Sequence, residues 1–144
     1  MPITYETHDY EPPDETPIVD NGLGEANHAA APIDAVAPLT CFARDDAGAV
    51  IGGVVGRTWG ECGELQKLWI APTHRQHGIG ARLVKLFEAR AKQRGCRMFY
   101  LTTFSFQAPA FYKALGYLPA HEIRGFPAGI VKYLMVRTVA SDEA

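Results

Sequence analysis

No lysine or arginine precedes Arg44, although Glu6, Asp9, Glu11, Asp14, Glu15, Asp20, Glu25 and Asp34 all do. Over the whole chain 14 basic residues face 16 acidic ones, for a net charge of -2. That balance lacks the excess positive field that holds a polyanion, so nucleic acid is not an expected partner. Cysteine is scarce: Cys41, Cys62 and Cys96 are widely spaced and form no C-x-x-C pair. An odd, scattered set with no secretory segment ahead of it excludes a disulfide framework and points to a reducing cytoplasm. Long apolar runs are also missing. Stretches such as residues 49–55 fall well below the roughly 18 residues of a spanning helix, so no membrane insertion is expected. What is present, 144 residues with 47% hydrophobic and 21% charged side chains, suits a single domain that needs no staple.

Periodicity divides the chain. Residues 3–8 alternate apolar and polar and predict a strand closed by Pro12-Pro13. Asp14 is placed to cap a helix with Pro17 in its first turn, which Gly22 and Gly24 weaken, and residues 29–38 form an Ala/Pro-rich connection. Residues 39–44 and 49–59 read as an antiparallel hairpin around Asp45-Asp46-Ala47-Gly48. A third strand covers 64–70, with residues 64, 66, 68 and 70 expected on one face. A helix from Gly78 to about Arg94 carries Ile79, Leu83, Leu86 and Phe87 as its buried stripe and stops at Gly95. Residues 97–103 form an apolar strand parallel to the third, completing a βαβ unit. A short helix over 108–115 and two strands near 117–124 and 130–138 follow. Trp59 and Trp69 are expected as core or interface anchors, and the cysteines as buried thiols.

The chemistry-bearing segment is Arg75-Gln76-His77-Gly78-Ile79-Gly80, after a strand and opening a helix. Two glycines let a ligand approach the backbone, the first-turn N–H groups have no helical partner, and the helix dipole is positive there. An anion such as a pyrophosphate suits it. No Lys-Ser/Thr follows as in a nucleotide-triphosphate loop, and Leu83 stands where a dinucleotide fingerprint has its third glycine. His74 and His77 have no matched third ligand, so no metal is expected.

Arg75, Gly78 and Gly80 resemble the [R/Q]-x-x-G-x-[G/A] signature of the GNAT superfamily of acetyl-CoA-dependent N-acetyltransferases. Phe111-Tyr112-Lys113-Ala114-Leu115-Gly116-Tyr117 looks like that family's F-Y-x-K-x-G-F segment. The resemblance implies a mixed α/β fold, a twisted mixed sheet of about six to seven strands flanked by three to four helices. It implies one domain over 1–144, with a variable N-terminal strand and helix over 1–38 and a common core over 39–138. It implies acetyl-CoA as co-substrate, its pyrophosphate on the backbone of Gln76, His77, Gly78, Ile79, Gly80 and Ala81 beside Arg75, and its pantetheine arm along Leu68, Trp69 and Ile70. Arg82 and Lys85, one turn on, either meet the phosphates or pair with Glu88.

Transfer to an alkylamine needs a base for the amine and an acid for the departing thiolate. The resemblance offers Glu64, eleven residues before Arg75, as base, with Gln66 as an alternative that orients water or the amine, and Tyr112 as acid. Ser105 stands where the family commonly has Asn, which puts its cofactor contact in question. The segment 102–109 with Phe126-Pro127-Ala128-Gly129 resembles a small bacterial subgroup of undefined substrate. The expected activity is acetyl transfer to a primary amine of a small molecule or peptide, cationic because of the acidic N-terminal region, with a homodimer common in such families. The alternative is a non-catalytic acyl-CoA-binding module of the same fold.

Overall fold

The computed structural model describes residues 1–140, and the chain falls into two compact units, Met1–Ala35 and the part from Val36 onward. In the first unit, helix α1 spans Thr16–Ala30 with Glu15, not Asp14, at its N-cap and Pro17 in its first turn. The Thr16 N–H donates to the Pro12 carbonyl at 3.1 Å, which sets the entry one residue later than the sequence suggests. Gly22 and Gly24 lie inside the helix in open space and do not end it. Residues 3–8 form no strand. An alternating hexapeptide becomes a strand only where a neighbour takes its backbone groups, and among the described residues no strand pairs with this one.

The second unit contains β1 (Ala37–Arg44), β2 (Val50–Trp59), β3 (Cys62–Ile70), α2 (Ile79–Gln93), β4 (Met98–Phe104), α3 (Pro109–Ala114), β5 (Leu118–Ile123) and β6 (Lys132–Thr138). They form a six-stranded mixed sheet in the order β1-β2-β3-β4-β6-β5, with β3 and β4 its parallel pair. The first hairpin turns as its composition implies: Asp45 Oδ1 accepts the Ala47 and Ala49 N–H groups at 2.9 Å, and Gly48 has a φ of 85°.

The β2–β3 ladder carries a bulge. Val55 faces Lys67 but Gly56 faces Leu65, leaving Gln66 unmatched. The extra residue reverses the side-chain alternation, so Leu65 and, beyond the bulge, Leu68 and Ile70 all turn to the core. The expected shared face of residues 64, 66, 68 and 70 is therefore broken, with Glu64 on the other side. Gly56 permits this close approach. A Cβ there would collide with the Glu64 carbonyl and lie 2.8 Å from the Phe87 ring.

One face of the sheet packs on α2 and α3 through Val54, Phe87, Phe99, Leu101, Tyr117 and Met135, all essentially inaccessible. On α2 the buried residues are Leu83, Val84, Phe87, Glu88 and Ala91, whereas Leu86 is half exposed. The helix meets the sheet one position round from the expected stripe, because Val84 and Glu88 face the sheet where Leu86 does not. Glu88 is buried because it is partnered: Tyr117 donates to it at 2.6 Å and Arg137 at 3.3 Å. The helix ends on Gly95 (φ 97°), whose N–H donates to the Lys92 carbonyl while that of Cys96 donates to Ala91. Arg94 then reaches the Pro38 carbonyl and the Thr58 hydroxyl, both at 3.1 Å.

Two stability outcomes follow from this packing. Gly56→Ala forces β2 off β3 and lowers unfolding free energy by about 3 kcal/mol or more, read from urea denaturation. Burial, then the Glu88 hydrogen bond and charge, pushes the Tyr117 hydroxyl far above the ordinary tyrosine range. Its folded value lies above its unfolded value of about 10, so its contribution is complete below pH 10 and is lost as pH rises beyond it. Tyr117→Phe should lower the urea midpoint at pH 8 and flatten the decline between pH 9 and pH 11.

Candidate active site

The parallel strands β3 and β4 stay together for only three residues: Cys62 opposite Met98, Gly63 opposite Phe99 and Glu64 opposite Tyr100. Beyond Glu64 the bulge carries β3 away and the strands part. Gln66 then has a register partner on neither side. The gap is a cavity of about 320 Å³ lined by Leu65, Gln66, Lys67 and Leu68 of β3, Thr102 and Thr103 of β4, and Gln107, Ala108 and Tyr112. A strand edge open to such a gap can pair with an extended ligand as a further strand would.

Tyr112 reaches this cavity from α3, a helix of six residues started by Pro109. Its ring is 8% exposed, meeting Phe111 edge-on at 5.1 Å and Tyr117 at 5.9 Å. Burial pushes its hydroxyl above the ordinary tyrosine range, which keeps it protonated and able to donate. Gln107 fixes the cavity's mouth: its Oε1 accepts the Phe104 N–H at 2.8 Å and the Thr103 hydroxyl at 3.3 Å. Gln107, Thr102 and Thr103 lie in the segment 102–109 that the sequence singles out, but only the parting of the strands shows them as cavity residues.

Along β3 the strip continues through Leu68, Trp69 and Ile70, of which only Leu68 lines the cavity. Trp69 points to the opposite face, 52% exposed, and Trp59 is 45% exposed, so neither is a core residue. The loop that follows is tied down twice: the Ala71 N–H donates to Ile51 O at 2.7 Å, and Arg75 Nε donates back to Ile70 O at 3.1 Å. Gln76 and Gly78 both take positive φ, 65° and 78°, which turns the backbone sharply before α2. The first intrahelical bond is Arg82 N–H to Gly78 O at 3.1 Å, so the amides of Ile79, Gly80 and Ala81 precede any helical acceptor. No side chain caps this end and no acidic residue stands in its first turn, so its partial positive charge is not answered locally. A Cβ on Gly78 would meet nothing within 4 Å, whereas one on Gly80 would sit 3.3 Å from the Phe111 ring. Gly80 thus serves helix packing, and the backbone turn rests on Gly78.

His77 is exposed in the loop, and His74 Nδ1 lies 3.0 Å from the Thr73 hydroxyl. Lys85 does not join the loop but lines a hollow between α2 and α3, and Glu88 is held by Tyr117 and Arg137 instead. Ser105 turns to Val131, whose N–H donates to its hydroxyl at 3.0 Å while its own N–H donates to Val131 O at 2.8 Å. Its hydroxyl is occupied in holding β4 to the start of β6, and Gln107 lines the cavity in its place.

Glu64 lies on the other face of the sheet, a quarter exposed, in a second cavity of about 370 Å³ lined by Val36, Arg57, Trp59, Cys62, Glu64 and Tyr100. Arg57 Nε donates to Glu64 Oε1 at 2.8 Å, and the Tyr100 hydroxyl is also hydrogen-bonded to Glu64. Cys62 is exposed there, so of the three thiols only Cys96 is fully buried. Glu64 and Tyr112 are thus brought to the vertex of the parted strands from opposite faces, in separate cavities. Among the described residues no cluster of His, Cys, Asp or Glu is placed to hold a metal ion, and no helix is long and apolar enough to cross a membrane.

The model of the acetyltransferase (GNAT) family matches residues 4–117. The chain is 36% identical over 109 residues to the blasticidin-S acetyltransferase of Streptomyces morookaense, covering 75% of this chain and 78% of that one. Among solved structures it is similar to an acetyltransferase from Bacillus cereus, with 25% identity, a TM-score of 0.77 and coverage of 93% and 98%. A Bacillus anthracis protein assigned as a streptothricin acetyltransferase, solved in complex with acetyl coenzyme A, shares the fold at 18% identity, with a TM-score of 0.64 and coverage of 72% and 64%. The chain belongs to the acetyltransferase (GNAT) family and is an acyltransferase.

Proposed function

We propose that this protein is one catalytic domain that transfers the acetyl group of acetyl-CoA directly to a primary amine of a small molecule. The observation that carries the reading is the parting of β3 and β4 beyond Glu64, which opens a strip from the vertex to the uncapped start of α2. The family's donor is a long, extended thioester with a pyrophosphate at its far end, and the strip answers both parts. The amides of Gln76 to Ala81 meet the pyrophosphate, with Arg75 bracing the loop. The pantetheine arm pairs along Leu68, Trp69 and Ile70, and the thioester comes to rest at Gln66. Gln66, unmatched in register on both sides, is placed for its N–H to meet the thioester oxygen as charge develops on it.

The amine nitrogen attacks the thioester carbon, forming the C–N bond, and the C–S bond breaks. Glu64 takes the first ammonium proton before attack, Tyr112 protonates the departing thiolate, and the second amine proton, released as the amide forms, returns Tyr112 to its neutral form through solvent. The relatives named for blasticidin-S and streptothricin support a small antibiotic-like amine as the acceptor.

Calorimetric titration of acetyl-CoA into the protein tests the donor site. Micromolar binding is expected, and Gly78→Pro, which demands a φ of about −65° where the chain has 78°, should abolish it in a still-folded protein. An absence of binding to the unmodified protein overturns the reading. Tyr112→Phe should leave that affinity unchanged while lowering kcat about 100-fold, measured by release of the CoA thiol. Because burial raises the Tyr112 hydroxyl, the donating form persists past pH 10, and the fall in kcat that Tyr112 deprotonation produces should begin only above that value.

A further inference from the structure

The second-face cavity contains a row of side chains that the register itself aligns. Arg57 stands opposite Glu64 across β2–β3, and Glu64 stands opposite Tyr100 across β3–β4, at the last pair before the strands part. Trp59 and Cys62 form the next row, one step from the vertex, also directly opposite each other. The alternation of the strands puts all five on one face, around a cavity of about 370 Å³. That volume lies near the lower end of the roughly 300–1,000 Å³ typical of small-molecule sites.

Its charges are arranged unusually for a site that takes a simple cation. The Arg57–Glu64 pair engages Nε of the guanidinium and one carboxylate oxygen, at 2.8 Å. The terminal amino groups of the Arg57 fork and the other Glu64 oxygen form no part of that bond. The Arg57 side chain is 51% exposed and that of Glu64 24%. An acceptor with an ammonium group alone would put a second cation on a carboxylate that Arg57 already neutralises. One that carries an anion beside its amine meets both charges one for one, the anion on the outer fork of Arg57 and the amine on Glu64. Trp59 and Tyr100 supply aromatic surface for a flat body and for the ammonium.

Resting on the acetyltransferase reading above, we propose that this cavity is the acceptor subsite and that it selects amphoteric acceptors, compact ring-bearing molecules with a primary amine and a carboxylate. Arg57 is then the specificity residue. This replaces the purely cationic acceptor expected from the acidic N-terminal region.

The test uses matched acceptors that differ only in the carboxylate: phenylalanine and β-phenylalanine against 2-phenylethylamine. Thiol release should give the amino acids a kcat/KM about tenfold or more above the amine. Arg57→Gln should erase that difference chiefly through KM, and Arg57→Lys should restore part of it. Equal rates, a preference for the amine, or a preference that survives Arg57→Gln overturns the proposal.

Alkylation of Cys62 by iodoacetamide, followed by peptide mass, reads the same cavity without turnover. Phenylalanine should slow it more than phenylethylamine does in the unmodified protein, and no protection overturns the proposal even where acetyl-CoA binds. Protection of Cys62 in a protein that neither binds acetyl-CoA nor releases thiol would sustain the amphoteric site and overturn the acetyltransferase mechanism instead.

Discussion

One unmatched residue, Gln66, organises the working part of this molecule. In a regular ladder β3 would stay hydrogen-bonded to β2 on one side and β4 on the other, and no ligand would enter the sheet. The bulge makes β3 bend between its two neighbours, so its pairing with β4 ends at Glu64. The bend also reverses the alternation of side chains. Glu64 is left on one face while Leu65, Leu68 and Ile70 anchor β3 to the other. Gly56 is the counterpart of this arrangement, because any side chain there would strike the Glu64 carbonyl and the Phe87 ring. A single glycine on β2 therefore supports both the kink and the helix packed over it.

What the sequence made legible follows from the range of each signal. The hairpin at Asp45–Gly48, the stop at Gly95 and the short helix after Ala108 depend on local turn and capping chemistry, and all three stand where they were expected. The sharp turn before α2 was readable for the same reason, Gly78 taking a φ of 78°. The failures are non-local. Residues 3–8 have the alternation of a strand but, among the described residues, no strand that pairs with them. Leu86 has the spacing of a core residue, but the angle at which α2 meets the sheet buries Val84 and Glu88 instead. A bulge leaves no mark in composition, so the face carrying Glu64 was not deducible, and neither were Gln107, Thr102 and Thr103 as cavity residues.

Glu88 shows how the rigid side of the sheet is maintained. A carboxylate in the helix–sheet interface would be costly alone, yet here it binds Tyr117 from the segment after α3 and Arg137 from β6. That network joins α2 to the part of the chain that carries Tyr112, since the Tyr117 ring packs edge-on against Tyr112. The position of the candidate acid is therefore set from the core, by contacts no motif describes. Gly80 belongs to the same support: its missing side chain lets Phe111, the neighbour of Tyr112, press against the first turn of α2.

The two faces of the vertex differ in how far water reaches them. On the helix face Tyr112 is desolvated by aromatic rings, which favours its neutral form. On the other face Glu64 is a quarter exposed and hydrogen-bonded to Arg57 and Tyr100. Glu64 projects from β3 into one cavity, and Tyr112 reaches the other from α3 on the opposite side of the sheet. The two cavities open on separate sides of the sheet at the vertex, where the strands begin to part.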